Sequence, residues 1–337
     1  MKPKIFIDGR EGTTGLQIFD RLSDRDDISI LMISERKRKD INERKKIINS
    51  ADLVFLCLPD DAARESASLI DNDKTRVIDA SAAHRTNPDW VYGFPELSKD
   101  QRGKIAKAKR VANPGCHATG IIAAVYPLIS LGIMPRDYPL TCFSLTGYSG
   151  GGKQMILDYD EKKTADMYCP RIYGLDLNHK HLPEIIHVAG LKRTPVFCPV
   201  VADYYSGIAT TITLHNGLLA GTPDAGYIRR KLDDYYTGEQ FVTVAPTLGN
   251  GMLESNWGVN TNMLEITVSG NDDLTIVTSR FDNLGKGASG AAVQNMNIML
   301  GADEGKSADI DSMFALDEED RMLRDALHYT KYGVREC

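Results

Sequence analysis

Short apolar runs alternate with glycine turns and helical stripes through the first third of the chain. Lys4–Asp8 predicts a buried strand. Gly9, Gly12 and Gly15 follow, and Leu16, Phe19 and Leu22 then recur at helical spacing. Further strands are expected at Ile28–Ile33, Asp52–Leu58, Arg76–Asp79 and Lys109–Ala112. A helix is expected over Ala62–Ile70. Another is expected over Ala118–Leu131, kinked or broken at Pro127. Strands alternating with helices predict an α/β fold with a Rossmann-type doubly wound parallel sheet, covered on both faces.

After Leu131 the rhythm changes. Strands are predicted at Thr141–Thr146, Val196–Val201, Gly207–His215, Phe241–Val244, Thr261–Ser269 and Leu274–Phe281, with one helix near Asp224–Tyr235. This predicts an antiparallel or mixed sheet in an α+β domain. Gly285–Leu300 reads as a Gly/Ala-rich helix able to approach the first domain, or a nicotinamide, closely. Beyond it, Asp303–Cys337 is polar, with a charged helical piece at Asp317–Tyr329 and no legible chemistry. The expected division is residues 1–116, completed by a helix at 286–301; residues 117–285; and an extension at 302–337.

At 337 residues the chain exceeds a typical single core, and 42% hydrophobic with 26% charged residues is ordinary for a globular protein. A net charge of −6 and only two short basic runs give no nucleic-acid signature. No apolar run reaches the roughly 18 residues of a membrane span. Met1 leads straight into a strand without a signal-peptide pattern. The six cysteines lack paired spacing, which argues against a disulfide framework or a zinc site. A reducing cytoplasm is expected.

The chemistry gathers on Arg110–Gly120. Cys116 falls where strand gives way to helix, beside first-turn N–H groups and a positive dipole end. Both favour a thiolate, so a lowered pKa is expected there. The opening strand, glycine turn and helix place Gly9, Gly12, Thr13, Thr14 and Gly15 under a pyrophosphate. Cys57, Leu58 and Pro59 lie off the carboxyl end of a strand, where such folds bind ligands. After the second strand, Glu35 suits a free ribose 2′-OH and hence NAD, whereas Ser34, Arg36 and Lys37 suit a 2′-phosphate; the basic excess favours NADP. Gly147–Lys153 resembles an anion cradle without P-loop spacing. His179 and His181 are two apart and would share one face of a strand. They lack the spacing of a metal pair, no metal is expected, and one is expected to serve as acid/base.

Taken together, Asp8–Gly15, Leu56–Ala63, Asp79–Arg85, Tyr92–Leu97, Asn113–Gly120, Gly147–Lys153, His179–Glu184 and Lys286–Asn297 resemble the short bacterial N-acetyl-γ-glutamyl-phosphate reductases of arginine biosynthesis. The resemblance spans about residues 1 to 301 and not the tail. Tyr204–Ile208 departs from the family pattern, and His117 stands where Tyr is frequent. The resemblance implies a nucleotide-binding domain plus an α+β substrate and dimerisation domain, as in the glyceraldehyde-3-phosphate and aspartate-semialdehyde dehydrogenases. It implies a homodimer or homotetramer acting with NADP on a small-molecule acyl phosphate through a Cys116 thioester. His181 is the expected acid/base, with His179 as substrate-side alternative. Arg85, Ser149, Gly150 and Lys153 are expected at the phosphate and carboxylate, and Gln294 and Asn295 at the nicotinamide carboxamide. Two other functions fit the same residues: aspartate-semialdehyde dehydrogenase, and a non-catalytic NADP-sensing protein. A cysteine hydrolase would have no use for the glycine turn.

Overall fold

Two sheets divide the chain. The computed structural model describes residues 2–246 and 251–309; the predicted helix at Asp317–Tyr329 lies outside the described residues. The first sheet contains β1 (Lys4–Asp8), β2 (Ser29–Leu31), β3 (Leu53–Leu56), β4 (Arg76–Asp79), β5 (Val91–Tyr92) and β6 (Arg110–Ala112), in the order β2-β1-β3-β4-β6-β5. Every pairing is parallel. The apolar strands β1, β3 and β4 are buried on both faces, as their unbroken hydrophobicity predicts. Strand order reverses between β1 and β3, which opens the crevice where this topology binds ligands.

Helices α1 (Thr13–Leu22), α2 (Ile41–Ser50), α3 (Asp60–Ser68) and α4 (Gln101–Lys107) flank this sheet. The second sheet holds β7 (Thr141–Gly147), β8 (Arg171–Ile172), β9 (Val196–Ala202), β10 (Ile208–His215), β11 (Val242–Val244), β12 (Leu264–Gly270) and β13 (Leu274–Phe281). Its order is β11-β12-β13-β10-β7-β9-β8, mostly antiparallel, with β7–β9 and β11–β12 parallel.

Helix α5 (Cys116–Ser130) joins the two halves. It starts at the end of β6, yet its apolar residues pack with Ile208, Ile212 and Phe281 of the second sheet. A Cβ at Gly120 would collide with Thr210 Oγ1, so glycine lets the helix lie flush on β10. The expected break at Pro127 is absent, and α5 runs through to Ser130. Proline has no N–H to offer Ala123 O, but that carbonyl accepts the Tyr236 hydroxyl at 2.8 Å instead.

Helices α6 (Gly152–Glu161), α7 (Leu182–Ala189), α8 (Ala225–Tyr236) and α9 (Gly290–Leu300) complete the described helices. α9 returns to the first sheet, where Ala292, Val293 and Met296 pack with Ile5, Phe55 and Ile78. The second sheet's other face leaves Phe143, Val196, Leu274 and Ile276 exposed.

Candidate active site

The turn before Cys116 is held from both halves. Gly115 is the N-cap of α5, in extended conformation with no side-chain cap. Its N–H donates to Glu184 Oε1 at 2.9 Å, which also accepts the Tyr92 hydroxyl at 2.7 Å. Glu184 Oε2 accepts from Arg85 Nη1 at 3.0 Å. Arg85 also donates Nε to Asn113 O at 2.9 Å and Nη2 to Ala80 O at 3.0 Å. A buried carboxylate and a buried guanidinium thus fix the backbone that carries the thiol. A Cβ at Gly115 would collide with Arg85 Nη1 and lie 2.5 Å from His181 Nε2. A single π-helical turn, Gly285–Ser289, leads into α9 and covers the cysteine. A Cβ at Gly287 would lie 2.9 Å from Cys116 Cβ.

The histidine pair sits in no strand. His179 is in a loop and His181 is the N-cap of α7. The two rings still meet, T-shaped at 4.9 Å, and His117 joins them at 5.4 Å from His179 and 5.7 Å from His181. The His181 N–H donates to His179 Nδ1 at 3.2 Å. His181 Nδ1 is buried without a hydrogen-bond partner among the described residues. His117 is held at both nitrogens, by Ser144 Oγ at 2.7 Å and Tyr173 Oη at 2.8 Å. Among the described residues, no group of three or more His, Cys, Asp or Glu is placed to hold a metal.

The electrostatics revise one expectation. The Cys116 thiol is pushed up, not down. Burial is the largest cause and Glu184 adds to it; together they outweigh the Lys180 ammonium, the His117 backbone N–H and Arg85, which lower it. Burial also holds His181 well below its ordinary value, helped by Arg85 and by His117, His179 and Lys180. His117 is lowered to about 3 by burial and then His179 and Lys180, and His179 to about 4 by burial and then Lys180. The resting site is therefore a neutral thiol beside a neutral imidazole, which leaves His181 free to accept the thiol proton.

A cleft of about 280 Å³ connects these groups with the first domain. It is lined by Thr13, Thr14, Arg85, Cys116, Ser149, Gly150, His179 and His181 from the expected set. Ser149 Oγ accepts from Asn283 Nδ2 at 3.0 Å, which leaves the Ser149 proton to donate to a bound oxygen. Lys180, Tyr173 and Asn283 also line the cleft and carried no sequence assignment. Lys180 was readable only as the residue between two assigned histidines; Tyr173 and Asn283 gave no signal of their own.

Other expected residues lie elsewhere. Gln294 and Asn295 are fully buried away from the cleft. Gln294 Oε1 accepts from Lys286 Nζ at 2.8 Å and Asn262 Nδ2 at 3.0 Å, and its Nε2 donates to Glu96 and Glu304. Asn295 Nδ2 donates to Gly93 O at 2.8 Å and Asn113 Oδ1 at 3.1 Å. Interior hydrogen bonds occupy both donor groups, while Asn295 Oδ1 is buried with no partner among the described residues. Lys153 is exposed in the first turn of α6, outside the cleft lining. Ser34, Arg36 and Lys37 are exposed in the turn after β2, where Lys37 pairs with Glu43 at 3.1 Å and Glu35 with Arg38 at 3.7 Å.

The glycine turn fits a dinucleotide. Gly9 has φ +89°, and a Cβ there would collide with Cys57 O; one at Gly15 would collide with Gly9 O. These two glycines let β1, β3 and α1 close together. A Cβ at Gly12 would find nothing nearer than Gly9 O at 3.5 Å, so space remains over the helix start. α1 has no side-chain cap and no acidic residue in its first turn. Its free N–H groups and positive end suit a pyrophosphate. Cys57, Leu58 and Pro59 follow β3 beside this turn.

Comparison with known proteins agrees with this geometry. Two family descriptions match in tandem: "Semialdehyde dehydrogenase, NAD binding domain" over residues 4–105, and "Semialdehyde dehydrogenase, dimerisation domain" over residues 116–283. The chain is 48% identical over 316 residues to N-acetyl-gamma-glutamyl-phosphate reductase 2 of Nostoc sp., covering 90% of this chain and 98% of that one. It is 47% identical to the Pseudomonas putida protein of the same name, covering 89% and 97%. In fold it is similar to aspartate semialdehyde dehydrogenase II from Vibrio cholerae, with TM-score 0.70 and 13% identity over 89% of this chain and 99% of that one.

Proposed function

The chain belongs to the N-acetyl-γ-glutamyl-phosphate reductase family, and from that premise we propose that it reduces N-acetyl-L-glutamyl 5-phosphate to N-acetyl-L-glutamate 5-semialdehyde, with NADPH, in arginine biosynthesis. The observation that carries the reading is the cleft itself. It brings Cys116, His181 and the glycine turn's Thr13 and Thr14 to one opening.

Cys116 Sγ attacks the acyl-phosphate carbonyl while His181 takes the thiol proton. The bond to the phosphate oxygen breaks, phosphate leaves, and a thioester remains on Cys116. A nicotinamide bound over this thioester carbon would supply the hydride that reduces it. His181 returns its proton to the oxygen, then takes it up again as the thiohemiacetal collapses to aldehyde and the sulfur departs as thiolate, which His181 reprotonates. The Cys116 backbone N–H at the start of α5 is a donor for the oxyanion, and such donors contribute about 3 kcal/mol. His181 is favoured over His179 as the acid/base because its ring abuts Gly115 and its Nδ1 has no hydrogen-bond partner among the described residues. Ser149 and Gly150 serve the substrate. Arg85 contributes by holding Glu184 and the turn at the edge of the cleft.

Gly9, Gly12, Thr13, Thr14 and Gly15 would hold the pyrophosphate, with Cys57, Leu58 and Pro59 alongside. NADP is favoured over NAD by Ser34, Arg36 and Lys37, with Glu35 drawn towards Arg38. The exposed apolar face of Phe143, Val196, Leu274 and Ile276 suits a second copy of the chain, in a homodimer or homotetramer. The free thiols suit a reducing cytoplasm.

The test supplies N-acetylglutamate 5-semialdehyde, phosphate and NADP and follows NADPH. Turnover that Cys116→Ser abolishes supports the reading. Turnover with aspartate semialdehyde in its place would overturn the substrate.

A further inference from the structure

Among the described residues two cationic side chains line the cleft, Arg85 and Lys180. Arg85 is already engaged: each of its nitrogens donates to Glu184, Asn113 O or Ala80 O, and its charge faces the buried Glu184 carboxylate. Lys180 differs. It is exposed at the cleft, and no described residue forms an ion pair or hydrogen bond with it. The reaction proposed above brings two anions to this place, a thiolate and a phosphoryl group. Among the described residues no carboxylate forms an ion pair with the lysine; Glu184 is taken by Arg85, and Asp176 acts on His179.

We propose that Lys180 is the anion-binding residue of the cleft: its ammonium balances the Cys116 thiolate and binds the phosphoryl oxygens of the acyl phosphate, or inorganic phosphate in reverse. Lysine suits both tasks, because a flexible stem lets one point charge follow a departing anion. Arg85, Glu184, His117, His179, His181 and Tyr173 also surround the thiol. Among the influences that lower the thiol pKa, Lys180 is the largest. The same ammonium disfavours protonation of His117, His179 and His181, which keeps the base neutral.

This inference rests on the thioester reading, so its test has one arm that needs no substrate. Alkylation of the Cys116 peptide by iodoacetamide is followed against pH in the full chain, in wild type, Lys180→Met and Lys180→Arg. The Met variant should shift the midpoint up by about one pH unit, and the Arg variant should stay near wild type. In the second arm, the Met variant should raise the KM for inorganic phosphate about tenfold and change kcat less, with Arg restoring it. If the midpoint or the phosphate KM stands still in Lys180→Met, the proposal is overturned. If wild type fails to oxidise N-acetylglutamate semialdehyde, the function fails instead, and the alkylation arm still reads the charge.

Discussion

Helices α1 and α5 begin in the same way and end up with opposite properties. Each follows a parallel strand, takes a glycine as N-cap, has no side-chain cap and has no acidic residue in its first turn. At α1 the space over Gly12 stays open, and the free N–H groups can meet a charged ligand. At α5 the start is covered by Gly287, Arg85 and His181, and burial outweighs the dipole, so the thiol is raised. A helix start yields an anion only where its favourable field exceeds the cost of taking that anion out of water. Proton transfer to His181 and a nearby ammonium then supply at α5 what the dipole alone does not.

Four experiments sharpen that contrast. Cys116→Ser should lower kcat at least about a thousandfold while cofactor binding, read by fluorescence titration, stays as in wild type. Retained turnover would remove α5 from the chemistry. Gly287→Ala places a methyl against Cys116 Cβ, which cannot swing aside. A displacement of that kind should cost about a hundredfold in kcat, and steady-state kinetics will show whether it does.

The third is a pH experiment on stability. His117 is held neutral, with its pKa lowered to about 3. An unfolded chain takes up a proton near pH 6.5 that the folded chain refuses. Stability is therefore intact above 6.5 and falls as pH drops, by about 1.4 kcal/mol per unit from this one group. Between pH 7 and pH 5 the loss should be about 2 kcal/mol more in wild type than in His117→Gln, by urea denaturation. Equal losses in both would show that the imidazole is not kept neutral. The smallest effect belongs to α1. A methyl at Gly12 meets only ordinary contacts, so Gly12→Ala should leave the melting temperature near wild type. It should raise the KM for NADP about tenfold by filling the seat of the anion, and an unchanged KM would close that seat.

The same contrast shows where the sequence was readable. β1, β4 and β13 match their apolar runs residue for residue, because hydrophobic patterning dictates burial directly. The cysteine junction and glycine turn were legible for a related reason, since turn chemistry and helix starts are local. A break at Pro127 does not occur, and the sequence could not show it, because the rescue of Ala123 O comes from Tyr236, more than a hundred residues away. The partners of Gln294 and Asn295 were equally illegible: their helical position could be read, but Glu96 and Gly93 lie across the fold. The Cys116 titration was missed because dipole and charge can be inferred from neighbours in sequence, whereas burial by Gly287 cannot. Lys180 was overlooked because its importance comes from Arg85 being engaged elsewhere, a fact of tertiary structure.

The most direct test of the account is the mass of the enzyme after a single turnover without phosphate. Protein mixed with N-acetylglutamate 5-semialdehyde and NADP, then quenched in acid, should carry one N-acetylglutamyl group on the Cys116 peptide, formed in step with one equivalent of NADPH. An adduct on another residue, or NADPH released while Cys116 stays unmodified, would contradict it.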